Sequence, residues 1–189
     1  MITISLGLII WVFVHLFPSV FSDKRQKLIS RIGNNPYQGL FSILIIASLV
    51  LIVFGWRNTI PTQVYLPVEQ LRMPSVLLIV ASLILIVGAN FPNTRLKFIF
   101  RHPQLTGVLA WAIAHLLMNG DNRSLLVFSV IGLWCMVTMF TINRRDGEWQ
   151  KPEKAAGWGQ EIVMGAIGVI VAATAIYFHQ YLSGIALLS

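Results

Sequence analysis

RHPQLTGVLAWAIAHLLMNGDNRSLLVFSVIGLWCMVTMFTI (residues 101–142) holds two apolar runs, 104–118 and 125–142, separated by little more than Asn119-Gly120-Asp121. So tight a connection makes the two runs an antiparallel helical hairpin. Gly120 is suited to close the first helix, and Asp121 to cap the second through its carboxylate. Spanning a bilayer takes about 20 mostly apolar residues. Four further runs approach that length: 2–21, 37–56, 73–91 and 162–181. The pattern predicts an all-α chain, an integral membrane bundle of about six transmembrane helices forming one domain over residues 1–189.

Composition agrees. The chain is 56% hydrophobic and only 11% charged, with mean hydropathy +0.74, whereas a soluble domain carries about 25% charged residues. Most of the surface is therefore expected to face lipid. A net charge of +7 could suggest nucleic acid, but the basic residues are scattered between apolar runs, so no nucleic-acid partner is expected. They sort instead by loop. Lys24, Arg25, Lys27 and Arg31 lie in the first connection, Arg95, Lys97 and Arg101 in the third, and Arg144, Arg145, Lys151 and Lys154 in the fifth. Against these stand only Arg57, Arg72 and Arg123 in the even connections. The positive-inside rule places the odd loops in the cytoplasm and both termini outside. The first run has no basic residue before Lys24, so it lacks the n-region of a cleaved signal peptide and is expected to stay in the membrane. The lone Cys135 excludes an internal disulfide and a multi-cysteine metal site. Gly168 and Ala172 have the small-xxx-small spacing of close helix contacts, and Glu161 suits a helix start. No span carries an acidic residue in its interior or a matched pair of broken half-helices, which argues against a transporter.

Ionisable groups at membrane depth are costly and usually face the bundle interior. That directs attention to histidine. His15, in IIWVFVHLF, is too far from the charged loop for a surface role. His115, in WAIAHLLMNG, lies near the outer end of its run. His102 precedes Pro103 at the cytoplasmic edge, beside Arg101, where capping, a lipid headgroup or ligation all suit it. His179 lies between Tyr177 and Tyr181 and reads as part of an interfacial aromatic belt. Thirteen residues separate His102 from His115, about 20 Å and 140° on a straight helix, so those two cannot share one ion. A second ligand must come from another helix, and His15 is the natural candidate. Structural zinc wants four close N or S ligands, which the runs do not offer. Two imidazoles from different helices suit the axial positions of a haem; they also suit a proton path.

HLF around His15, RIG (31–33), YQGLFS (37–42), the RHP…WAIAHLLMNGD block (101–121) and LLVFSVIGLW (125–134) together resemble the NnrU family of bacterial membrane proteins. The resemblance covers nearly the whole chain, and the 101–121 block is its most specific part. It implies a multi-pass protein of the bacterial inner membrane, linked to denitrification and nitric oxide metabolism. The family has a plant relative, zeta-carotene isomerase, that uses haem b to isomerise a double bond. By that resemblance haem b is the implied cofactor, His15 and His115 its iron ligands, and a hydrophobic, polyene-like molecule the substrate. His102 and Arg101 would be further cofactor-binding residues, with charge-assisted bonds to a propionate. His15 and His115 differ in depth by more than about 10 Å at 1.5 Å per residue, and depth alone pairs His15 with His102, the alternative ligand. Where the plant enzyme has a cysteine one turn before the second ligand, Ala112 stands here, so a histidine–thiolate exchange has no thiol at that position. A haem-free role is the other reading: an assembly factor with a membrane-protein partner in a nitric-oxide-handling complex.

Overall fold

A computed structural model describes residues 1–184. The described residues are mostly helical: α1 (Ile2–Val20), α2 (Ser22–Ile32), α3 (Asn34–Asn58), α4 (Arg72–Ala89), α5 (Leu96–Ile99), α6 (Pro103–Met118), α7 (Asn122–Asp146) and α8 (Trp158–Ser183). Five of these are long and apolar enough to cross a membrane, and α6 is a shorter apolar helix. The chain is a helical membrane bundle.

Helix contacts run α3–α1–α7–α6–α4–α8, and α8 touches α3 again. The six long elements thus form a closed round. Two of its contacts depend on glycine. A Cβ on Gly7 would come within 2.8 Å of the Ser48 carbonyl, and one on Gly107 within 2.7 Å of the Ser82 carbonyl. These bring α1 onto α3 and α6 onto α4 at backbone distance. The core gathers on α7, where Val127, Phe128, Ile131, Trp134 and Cys135 pack with Ile4 and Leu8 of α1, Ile52 of α3 and Ala112 of α6. Outward residues such as Ile9, Phe54 and Phe140 are more than half exposed, as helices facing acyl chains require. Gly168 and Ala172 are spent inside the chain: both are buried, and a Cβ on Gly168 would meet Ile84 of α4 at 2.9 Å.

The first connection is not a loop. Residues 22–32 form α2, an amphipathic basic helix with Leu28, Ile29 and Ile32 among Lys24, Arg25, Lys27 and Arg31. A search for long apolar runs passes over such a segment because its signal is the 3.6-residue period, not its mean hydropathy. The prolines lie where expected: Pro36 is in the first turn of α3, and Pro103 opens α6 behind His102.

At the end carrying the α6–α7 turn, Asp121 caps α7 by accepting from the Arg123 and Ser124 amides at 3.0 and 3.2 Å. Burial works to raise the Asp121 pKa, but bonds from Ser124 and Arg123 outweigh it and hold the carboxyl below its ordinary value. The Arg123 guanidinium also donates to the Trp56 and Thr59 carbonyls at 2.9 and 3.1 Å, so it pins α3 to α7. Gly120 has a different reason from the one expected. It does not adopt a left-handed cap; instead a side chain there would strike the Tyr65 carbonyl. The Gly120 carbonyl accepts from the Val64 and Tyr65 amides at 2.7 and 3.1 Å. The Tyr65 hydroxyl donates to the Leu116 and Asn119 carbonyls. The segment after α3 thus covers the end of the short α6. At the opposite, basic end, Glu161 accepts from the Arg95 amide at 2.9 Å and tethers α8 to the connection after α4.

Candidate functional site

His15 and His115 have the same local construction. Each ring reaches back one turn, so its Nδ1 lies 2.9 Å from the carbonyl of a tryptophan four residues earlier, Trp11 or Trp111. Helical side chains lean toward their own N-terminus, which makes this contact natural. A carbonyl only accepts, so Nδ1 carries the proton and Nε2 keeps its lone pair. Each imidazole also lies against that tryptophan, with ring centres 4.2 Å apart in α1 and 4.6 Å in α6. The shared spacing, W-x-x-x-H in WVFVH and WAIAH, was legible in the sequence. The histidines stand out there, but the tryptophans that fix their tautomer do not.

Beyond this the two surroundings differ. The His15 ring meets Trp134 of α7 at 4.9 Å and Phe41 of α3 at 5.6 Å. The His115 ring stacks on Phe128 of α7 at 4.4 Å. Its other ring neighbour is His179 of α8, 6.5 Å away and tilted by 27°. Phe128 and Trp134 are six residues apart on α7, about 9 Å along the axis. Both imidazoles thus abut the same core helix, at different levels. His179, read as part of an aromatic belt, turns inward and is half-buried, while Tyr177 and Tyr181 are each 60% exposed. Its Nδ1 lies 2.9 Å from the Ser183 hydroxyl.

His102 and Arg101 stand together elsewhere, at the basic end. His102 Nε2 is 2.7 Å from Asn143 Oδ1, which ties the start of α6 to the end of α7. With Lys97, Gln104, Trp149 and Gln150 these two line a cleft of about 690 Å³. Ala112 is fully buried against α7, and Cys135 is fully buried in the core.

A second feature involves the two tryptophans against His15. Among the described residues four buried side-chain polar atoms have no partner: Trp11 Nε1, Trp134 Nε1, Arg25 Nε and Thr138 Oγ1. Native interiors leave few such groups without a protein, water or ligand partner. A planar apolar group with an iron centre and hydrogen-bond acceptors fits this setting on three counts: indole and phenyl walls, an imidazole Nε2 with its lone pair, and donors in want of an acceptor. Among the described residues no cluster of three or more His, Cys, Asp and Glu could hold a bare metal ion.

Comparison with curated proteins finds no match, and neither does comparison with solved structures. A family model described as NnrU protein matches residues 3–187. With that match spanning nearly its whole length, and with both W-x-x-x-H helices and the NGD turn inside it, the chain belongs to the NnrU family.

Proposed function

We propose that this protein binds haem b through His15 and His115 and acts on a hydrophobic molecule, in isomerase-like or redox chemistry serving nitric oxide and denitrification metabolism. The observation that carries this reading is the paired construction of the two imidazoles. Each donates its Nδ1 proton to a tryptophan carbonyl and keeps Nε2 as a ligand atom. Bound haem would supply an iron that exchanges an electron or coordinates a double bond. The protein's part is to hold, orient and keep dry. Trp11, Phe41 and Trp134 wall the His15 side, and Trp111 and Phe128 the His115 side. A hydrophobic substrate would arrive from the bilayer. An apolar groove of about 510 Å³ between α1 and α7, lined by Leu8, Val12, Leu16, Leu126 and Val130, gives lipid-dissolved molecules a place to lie. The excess of Lys and Arg in the odd connections supports reading the basic end as the cytoplasmic one, in a bacterial inner membrane.

The haem-free reading needs a small-residue face free for a partner. Of Gly165, Gly168 and Ala172, the last two are already packed within the chain and Gly165 alone has nothing within 4 Å of a Cβ built on it, which leaves that reading a smaller face. Absorption spectroscopy of the detergent-purified protein titrated with haem separates the two. A saturable Soret band at one haem per chain is expected. A flat titration, with a stable protein that co-purifies with a membrane complex, would favour the assembly role.

A further inference from the structure

The four unpartnered polar atoms are not spread through the bundle. The Trp11 and Trp134 rings touch His15, and Thr138 lies one turn along α7 from Trp134. The Arg25 guanidinium sits over the ring of Tyr37 at 5.5 Å. Tyr37 is one turn of α3 before Phe41, the third ring against His15. So Trp11 of α1 and Trp134 of α7 bring unpaired N–H groups against His15, and Arg25 of α2 connects to the same ring cluster through Tyr37 and Phe41, whereas the rings against His115 carry no such unpaired atom among the described residues. Trp134 and Thr138 are 7% and 6% exposed, so bulk water does not serve them.

The chemistry of the set is one-sided. Indole and guanidinium N–H groups donate and cannot accept; only the threonine hydroxyl can do either. The complement is a group rich in acceptors, and Arg25 asks that it be negative. Among the described residues Arg72, Arg95, Arg123 and Arg145 each have a carboxylate within 4 Å, namely Glu69, Glu161, Asp121 and Asp146. Arg25, like Arg31, Arg57, Arg101 and Arg144, has no such ion pair there, and among these five it is the one with a buried side-chain nitrogen lacking a partner.

Resting on the haem reading above, we infer that Arg25 receives a carboxylate of the porphyrin held at His15, and that the Trp11 and Trp134 indoles and Thr138 complete the donor set for that ligand's acceptors. Arg101 and His102, the residues the sequence points to for this duty, stand in a separate cleft, where His102 is bonded to Asn143.

The test uses the full chain in detergent and two probes, iron protoporphyrin IX and its dimethyl ester, which has the same iron and rings but no free carboxylates. Soret titration of the wild type is expected to show the free acid binding at least about tenfold more tightly than the ester, as charge-assisted bonds allow. Arg25→Leu should reduce that preference to about twofold or less, while Arg101→Leu keeps it. Arg25→Gln, closer in shape, should behave as Arg25→Leu does and serves if the leucine variant does not fold. Trp134→Phe, which keeps a ring but loses the N–H, should weaken the free acid by several-fold. Equal binding of both probes by the wild type would overturn the carboxylate assignment and leave the haem reading standing. So would a preference that survives Arg25→Leu or disappears in Arg101→Leu. No Soret band with either probe would end both.

Discussion

Replacing His15 with alanine is expected to weaken haem binding by more than about 100-fold, to the point where purified protein loses its Soret band. His115→Ala should abolish that band or shift it to a five-coordinate form. Loss of an outer partner of a metal ligand already costs about 10- to 100-fold in affinity, and here the ligand itself goes. His15 carries the larger effect because the Phe41 ring and the Trp11 and Trp134 indoles, both with unpaired N–H groups, lie against it. His115 sits where Phe128 already stacks on it, so the iron would gain less there from the surrounding protein. His179→Ala is the needed comparison, since His179 is the imidazole that the structure sets beside His115. It is expected to leave the band unchanged. If His179→Ala removes the band and His15→Ala does not, the ligand pair is misassigned.

The largest effect on the fold is expected at Gly107. A Cβ there would lie 2.7 Å from the Ser82 carbonyl, 2.9 Å from Ile86 and 3.1 Å from Leu85. The obstacle is partly backbone, which cannot rotate aside. Overpacking a closed interior costs about 1–3 kcal/mol and sometimes more. Gly107→Leu adds four carbons at a contact without room for one, so a loss of about 3 kcal/mol or more is expected. Thermal unfolding in detergent, followed by circular dichroism, measures it. Gly165→Ala is the control: nothing lies within 4 Å of a Cβ built there. That change should be neutral or slightly stabilising, as alanine is the better helix former.

The bundle was legible in the sequence because the bilayer fixes the length and polarity of what crosses it. The α6–α7 hairpin could be read from Asn119-Gly120-Asp121, since a cap and a turn are local chemistry, and Asp121 caps α7 as expected. What escaped was either periodic or long-range. The apolar positions of α2 are diluted by four basic residues, so averaging over a run hides them. The need for glycine at 120 comes from Tyr65, 55 positions away, through a contact that only the folded chain creates. His179 lay in a span whose aromatic neighbours do face outward, and the direction of one residue in such a group depends on the helix rotation that α4 imposes. The site was half visible. His15 and His115 stand out as imidazoles in apolar runs, but Arg25 sits among lysines in a basic segment, where sequence alone marks it only as a charge.

The claim that most depends on these residues is that His15 and His115 bind one iron. Electron paramagnetic resonance of the haem-loaded ferric protein tests it most directly. The account predicts a low-spin signal of bis-imidazole type that both His15→Ala and His115→Ala destroy and His179→Ala preserves. A high-spin signal in the wild type, or a low-spin signal unchanged in His115→Ala, would contradict it.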